Sequence, residues 1–370
     1  MQKKPNNSGI TLIALIITII VMLILVAVTV NTAVNSGLFG HAKNATQGWK
    51  SEEEKESNIG NDNYINDTVN QFSSSQTNSD SKPDRSFLRV GDYIAYNPDT
   101  AGNYMGLGTS TSEKAGSSSN PAAGIPQDTT LKWRVMNIND DGSVDLISAT
   151  PISTSVYFQG SIGYNNGVLL LNELCKTQYS NNTLGVTSRS INLEDIEKNF
   201  NSTGIAARNS YTSSGNVQYG NIKTYSENYS YSPDIYDKVG KTTAEESKNY
   251  YTTPTTATHT QKGTLEVQQT YYNITTPASY FGDSTFHELI FGTGTVYWLA
   301  SRYADCSSSS ANFGLCGMYI DHLYGYVLFS SSNSQNDSRG FCVRPVVSLG
   351  ANIKISTDGG TADVPRTISL

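Results

Sequence analysis

The sequence has little charge and little cysteine. Asp, Glu, Lys and Arg make up only 15% of its 370 residues, against about 25% in typical soluble domains. The net charge of −7 and the sequence pI near 5.2 argue against a nucleic-acid-binding protein, because phosphate backbones require a basic surface. The chain is instead rich in tyrosine, with 23 residues, and in Ser, Thr, Asn and Gly.

The four cysteines are Cys175, Cys306, Cys316 and Cys342. An even number of cysteines in a protein outside the cytoplasm suggests disulfides. The last three fall in one C-terminal strand region, so we expect a bridge among them, although the sequence does not choose the pair. Cys175 lies on the apolar side of a predicted helix and is interpreted as a buried free thiol.

One long apolar stretch, residues 10–30, lies near the N-terminus, and no charged residue occurs between Lys4 and His41. At a helical rise of ~1.5 Å per residue this stretch spans ~31 Å, which is the thickness of a bilayer core. Cleavable signal peptides have shorter apolar regions of about 7–15 residues. The stretch therefore predicts a transmembrane helix. The preceding Lys3 and Lys4 place the N-terminus in the cytoplasm and the remainder outside the cell.

The residues at the N-terminus resemble those of type IV prepilins and pseudopilins: Lys3-Lys4, a short polar leader, Gly9, then "ITLIALIITIIVMLIL". The resemblance implies cleavage by a prepilin peptidase between Gly9 and Ile10, and methylation of the new amine. In that family the fifth residue after the cut is usually a glutamate, whereas here it is Ala14. The chain would then be a minor or tip subunit, an anchor that does not polymerise, or an uncleaved single-pass anchor.

Composition divides the chain into segments. Residues 73–86, "SSSQTNSDSKPDRS", are too polar to form a core and indicate a flexible linker. The predicted order is a leader at 1–9, a transmembrane or pilin-like helix at 10–56, a linker at 57–86, a head at 87–357 with a surface insertion at 202–263, and a tail at 358–370.

The head has patterns of both strands and helices. Asp141-Gly142 is a two-residue turn signal between two apolar runs, which predicts a β-hairpin. Residues 165–180, "NNGVLLLNELCKTQYS", have helical periodicity. "NLEDIEKNF" begins with Asn192, which is a favourable helix N-cap. Short strands follow in the C-terminal third.

The order of these elements, with "YWLASR" (Tyr297–Arg302) and "VRPVVSL" (Val343–Leu349), resembles a C-type-lectin-like domain. It is most similar to the bacterial branch that includes formylglycine-generating enzymes and retroelement variable receptors. The predicted fold class is α+β: a long N-terminal transmembrane or pilin-like helix followed by a C-type-lectin-like, mixed α/β head with antiparallel strands. Five positions are expected in the core: Trp298, Leu299, Val343, Pro345 and Val347. Arg302 and Arg344 are expected to satisfy buried carbonyls.

No catalytic, metal-binding or cofactor site is predicted. The lectin calcium triplets are missing, and residues 139–145 are explained by the hairpin turn. The cysteine pair of the formylglycine-generating relatives has no counterpart. Asp321 and His322 are neighbours, so on a strand they would point to opposite faces.

A Tyr-, Ser-, Asn- and Gly-rich segment between "WLASR" and "VRPVV" has the composition of a binding surface. In the resembled receptors it forms the ligand-binding face. The candidates are Tyr303, Asp305, Asn312, Tyr319, Asp321, His322, Tyr324, Tyr326, Asn333, Asn336 and Asp337. The alternative is ordinary solvated loops and strands, because about half of these side chains must point inward.

The predicted function is non-enzymatic. A pilin-like cell-surface protein would display its head for adhesion or ligand binding. The alternative is a structural minor pilin or pseudopilin of a filament or secretion system, without a ligand of its own. The expected partners are the membrane through residues 10–30, pilin-like subunits and an unknown protein or glycan ligand, with no nucleic acid. The expected location is the cell membrane, single-pass, with the head extracellular.

Overall fold

The computed structural model describes residues 82–104, 115–117, 124–213, 215–226, 257–261, 264–270, 272–306, 310–330 and 338–370. The chain divides into two units, Met1–Ser81 and Lys82–Leu370. All described residues belong to the second unit.

Strands dominate this unit. They are β1 (Tyr93–Ile94), β2 (Ala115–Ser117), β3 (Trp133–Ile138), β4 (Val144–Ser148), β5 (Val156–Gln159), β6 (Ser188–Ser190), β7 (Ile222–Ser226), β8 (Ala257–Gln261), β9 (Thr264–Gln268), β10 (Ile274–Thr275), β11 (Tyr297–Cys306), β12 (Ala311–Tyr319), β13 (His322–Ser330), β14 (Ser338–Phe341), β15 (Pro345–Leu349), β16 (Lys354–Ile355) and β17 (Ile368–Ser369). The α-helices are α1 (Gly160–Tyr179), α2 (Leu193–Glu197), α3 (Ser202–Ser210) and α4 (Ser284–Phe291), and a 3₁₀ turn covers Ala278–Tyr280.

The central sheet has five strands in the order β1-β3-β4-β15-β6. β3 and β4 form the predicted hairpin, and Gly142 in its turn has φ +85°. Only glycine adopts that conformation without strain. The hairpin prediction is confirmed, but the strands are joined by residues 139–143 rather than by a two-residue turn. Both faces of this sheet are covered: Val135 and Leu146 belong to one hydrophobic core, and Met136 and Ile147 to the other.

The second large sheet has the order β10-β13-β12-β11, with antiparallel neighbours. It too lies between the cores. Trp298 and Leu315 pack into the first core, and Leu299 and Met318 into the second. Helix α1 packs on the first side, where the ring of Tyr164 contacts the rings of β12 and β13 edge-on. Smaller sheets are β14-β5-β2, β16-β17 and β7-β9-β8.

Several local predictions are confirmed. The periodic segment at 165–180 lies almost entirely within α1. Asn192 caps α2 and accepts a hydrogen bond from the N–H of Asp195, whose side chain returns the contact in a capping box. All five predicted core positions of the two strand motifs are buried.

The predicted fold class is wrong. Among the described residues, strand accounts for 36% and helix for 21%, so the unit is mainly antiparallel sheet rather than a mixed α/β head behind a long helix. The physical reason is that its Tyr-, Val- and Thr-containing segments alternate with period two and pair as hairpins. The predicted insertion at 202–263 begins with α3 and includes β7 and β8, which pair with β9.

The predicted membrane anchor is also corrected. The leader, the transmembrane helix at 10–56 and the linker up to residue 81 lie outside the described residues. Of the helices that the structure describes, none is both long and apolar enough to cross a bilayer. This finding contradicts the transmembrane and prepilin-like assignments and the single-pass location in the cell membrane.

The ends of the unit pack against its body. Arg85, placed in the predicted linker, is buried and donates to the carbonyl of Ile353 over 2.6 Å. Arg366, placed in the predicted tail, is buried and its Nε lies 3.0 Å from the Asp92 carboxylate. The folded unit therefore extends beyond 87–357 at both ends.

Candidate functional site

The β12–β13 hairpin brings several of the predicted binding residues together. Tyr319 pairs with His322 across the hairpin, and a two-residue loop, Ile320-Asp321, joins the strands. Because side chains alternate along a strand, Tyr319, His322, Tyr324 and Tyr326 share one side of the sheet. We call these four residues with Ile320 the hairpin face.

The rings of this face continue into the core. The Tyr324 and Tyr326 rings are 4.9 Å apart, and the Tyr326 ring is 4.4 Å from Phe341. Phe341 in turn lies 4.6 Å from Trp298, which is fully buried. The Tyr324 ring therefore packs on a row of rings that reaches the core, and little conformational entropy remains to be lost when a ligand contacts it.

The outer end of the face is open to solvent. Tyr319 is 48% exposed, Ile320 56% and Tyr324 36%. Burial raises the pKa of Tyr326 to about 12, with smaller contributions from Tyr324 and Tyr319. The Tyr326 phenol thus stays neutral at physiological pH. A tyrosine hydroxyl can both donate and accept a hydrogen bond.

A polar edge is fixed next to the rings. His322 Nδ1 lies 2.6 Å from Asp321 Oδ1, and His322 Nε2 lies 3.0 Å from Thr275 Oγ1 of β10. The Asp321 carbonyl accepts from both the N–H and the hydroxyl of Thr276 over 2.9 Å. The expectation that Asp321 and His322 point to opposite faces is therefore wrong, because Asp321 lies in the loop rather than on the strand.

The order Thr275–His322–Asp321 matches that of a nucleophile, a base and an orienting carboxylate. A hydrolytic site also needs donors for an oxyanion and exclusion of water. Here Thr275 is exposed, and the side chains of His322 and Asp321 are 36% and 50% exposed. We interpret the contacts as orienting the imidazole on an open surface.

The backbone of the loop is strained. Ile320 has φ +54°, in the left-handed region that β-branched residues rarely enter. Residues held in such conformations concentrate at functional sites. A Gly or Asn would be favoured at this position of the turn, yet the chain places here an isoleucine that is 56% exposed.

Other predicted residues do not join this face. Tyr303 is 1% exposed and packs in the second core, so its assignment to a binding surface is wrong. Asp305 and Asn312 pair with each other. Asn312 is seven residues from Tyr319 along β12, or ~23 Å at ~3.3 Å per residue. The other candidates, Asn333, Asn336 and Asp337, lie outside the described residues.

The predicted disulfide is not found at the cysteines whose side chains the structure describes. Cys175, Cys316 and Cys342 are free thiols, and the side chain of Cys306 lies outside the described part. Burial raises the pKa of the Cys175 and Cys316 thiols far above the usual range. The free-thiol interpretation of Cys175 is confirmed, and such thiols are inert at neutral pH.

Sequence reasoning missed three contributors: Ile320, Thr275 and Phe341. Thr275 reaches His322 from a strand 47 residues earlier, and nothing local in the sequence indicates that pairing. Ile320 gives no turn signal in the sequence, because two-residue hairpin loops are recognised by Asn, Asp or Gly and isoleucine is unusual there.

The polar cluster predicted to be a turn behaves as one. The Asp141 carboxylate accepts from the N–H and hydroxyl of Ser143 over 2.9 and 2.6 Å. Among the described residues no group of three or more His, Cys, Asp or Glu side chains is arranged to hold a metal ion.

In comparisons with known proteins, no family model, no curated protein and no solved structure matches this chain.

Proposed function

We propose that the unit Lys82–Leu370 is a non-enzymatic ligand-binding domain and that the hairpin face binds an oligosaccharide. The observation that carries the proposal is the exposed Tyr324, which lies at the end of an aromatic row that runs into the core, with the exposed Tyr319 on the same side of the sheet. Exposed large apolar groups clustered on a well-packed support mark interaction sites.

The chemistry of the face suits a sugar. Aromatic rings stack on the apolar C–H face of a pyranose, while phenol hydroxyls, an imidazole and a carboxylate bond its hydroxyl groups. His322 and Asp321 are already oriented for this by their mutual hydrogen bond. A protein partner needs about 800 Å² per side, drawn from about 20–30 residues, which is far more than the three outer residues of this face.

The test is a glycan array probed with the full-length chain, followed by calorimetric titration of the best glycan. Tyr319→Ala and Tyr324→Ala should each weaken binding about 5-fold, because a ring contact contributes ~1 kcal/mol. Val364→Ala is the control, since Val364 is also exposed, at 62%, but is not part of the hairpin face. Val364→Ala should leave the affinity unchanged.

Two results would reject the proposal. The first is an array on which no glycan is bound above background. The second is a bound glycan whose affinity is the same for the two tyrosine variants and the Val364 control.

A further inference from the structure

A cavity of about 420 Å³ lies between α1, β6, α2 and β11, and it shares no lining residue with the hairpin face. Its size falls within the range of about 300–1,000 Å³ that is typical of small-molecule sites. Ala300 and Ser301 line it from the irregular part of β11, where the pairing register shifts between Trp298 and Arg302. Such irregularities are common next to functional sites.

The walls of this cavity are held in place by hydrogen bonds. The hydroxyl of Ser301 accepts from the N–H of Leu193 over 2.9 Å. Arg189 makes a two-pronged contact to Asp195, with N–O distances of 2.5 and 2.7 Å. Burial disfavours the Arg189 charge, but Asp195 outweighs it and raises the pKa of the guanidinium. The cavity is therefore preformed, which lowers the entropy cost of binding.

Charged side chains line two walls of the cavity: Glu173 and Lys176 lie on α1, and Glu194 lies on α2. Lys176 on α1 has a 58% exposed side chain and only a long 3.6 Å contact to Glu173. Glu194 on α2 is exposed and has no ion-pair partner among the described residues. The Lys176 ammonium, which makes only the long contact to Glu173, and the Glu194 carboxylate thus line the same cavity from different walls.

We propose that this cavity binds a free α-amino acid. Its carboxylate would contact Lys176, its ammonium would contact Glu194, and its side chain would lie against Ala300 and the aliphatic stem of Arg189. A zwitterion can contact Lys176 and Glu194 at the same time, whereas a simple acid or a simple amine can contact only one of them. The hydroxyls of Thr187 and Ser301 provide additional hydrogen bonds.

Three probes of similar size and shape test the charge requirement: L-leucine, 4-methylpentanoate, which lacks the ammonium, and 3-methylbutylamine, which lacks the carboxylate. Each is titrated calorimetrically into the full-length chain. L-leucine should bind at least about 10-fold more tightly than either analogue, because 1.4 kcal/mol corresponds to a factor of ten.

Variants assign the two ends of the ligand. Glu194→Gln should weaken L-leucine about 5-fold or more and leave 4-methylpentanoate unaffected. Lys176→Gln should weaken L-leucine and 4-methylpentanoate but not 3-methylbutylamine. The matched controls, Asp358→Asn and Lys354→Gln, change exposed residues that do not line the cavity, and they should bind L-leucine like the unaltered chain.

The proposal is overturned if L-leucine does not bind, if the three probes bind equally, or if the Glu194 and Lys176 variants behave like their controls. Glycan binding by the hairpin face is measured with a different ligand and different variants, so failure of one proposal is distinguishable from failure of the other.

Discussion

The guanidinium of Arg344 lies over the ring of Tyr297, 5.3 Å from its centre, and donates to its hydroxyl over 3.2 Å. Both side chains are fully buried. The guanidinium also donates to the carbonyls of Ser148 over 3.0 Å and Ala149 over 3.3 Å, and to the carbonyl of Ile290. Arg344 therefore ties the central sheet to α4 and β11.

Replacing Arg344 should destabilise the protein strongly. Arg344→Met keeps the apolar stem but leaves buried carbonyls unpaired, and each unpaired group costs about 1–3 kcal/mol. We expect a loss of about 3 kcal/mol or more in the free energy of unfolding, measured in denaturant. Lys354→Met, at an exposed position, should change it by less than about 0.5 kcal/mol. Equal effects of the two substitutions would contradict the role of Arg344.

Much of the framework could be predicted because its signals are local. The Asp141-Gly142 turn, the Asn192 cap and the periodicity of α1 each depend on residues close in sequence. Short apolar strand motifs within an otherwise polar chain predict the core positions around Trp298 and Val343. The same motifs predict that Arg302 and Arg344 bind buried carbonyls. Arg302 donates to the carbonyls of Tyr164 and Asn165 as expected.

The errors have a common physical origin. Alternation along β11 correctly places Tyr303 and Trp298 on opposite faces of the sheet. It does not show that both of these faces are covered by hydrophobic cores. Tyr303 was therefore assigned to a surface. Similarly, adjacency of Asp321 and His322 predicts opposite directions only if both lie on a strand, and the position of the two-residue loop is set by the pairing register of β12 and β13.

Gly317 should be intolerant of a side chain because the Tyr326 ring lies over it. A Cβ at this position would come 2.7 Å from Tyr326 Cε2. Gly317→Ala should displace the ring, destabilise the protein by about 1–3 kcal/mol and weaken ligand binding at the hairpin face. Gly282→Ala is the control, since a Cβ there meets nothing within 4 Å. Unfolding in denaturant measures both, and an unchanged Gly317→Ala protein would show that the ring does not need this space.

Stability should decrease on acidification, and Asp145 should contribute to the decrease. Burial alone would raise the pKa of Asp145, but the Ser348 hydroxyl, 2.6 Å away, and the charge of Lys198 outweigh it and hold that pKa below its usual value. A carboxylate with a lowered folded-state pKa stabilises the fold above its unfolded-state pKa of about 3.9, and that contribution is lost as the pH falls through the folded-state value.

The test compares unfolding free energies between about pH 6 and pH 3, a window that includes the unfolded-state pKa of a carboxylate. Asp145→Asn should reduce stability at pH 6 and should show a shallower decrease towards pH 3 than the unaltered protein. Asp358→Asn, at an exposed position, is the control and should retain the full decrease. An identical pH profile for Asp145→Asn and the unaltered protein would refute the assignment.

The strained loop residue should trade stability for binding. Ile320 has φ +54°, and the left-handed conformation costs an L-residue roughly 1–2 kcal/mol. Ile320→Gly removes that cost, so the free energy of unfolding should rise by about 1 kcal/mol, although an apolar side chain is lost. Ile222→Gly is the matched control, because Ile222 is 64% exposed on β7, and glycine within a strand should lower stability. If the Ile320 side chain contacts the ligand, the Ile320→Gly protein should be more stable than the unaltered protein and should bind the glycan more weakly.

Two outcomes would contradict this prediction. A variant that is more stable but has unchanged glycan affinity would show that Ile320 is not part of the binding face. A variant that is less stable would show that the loop is not strained.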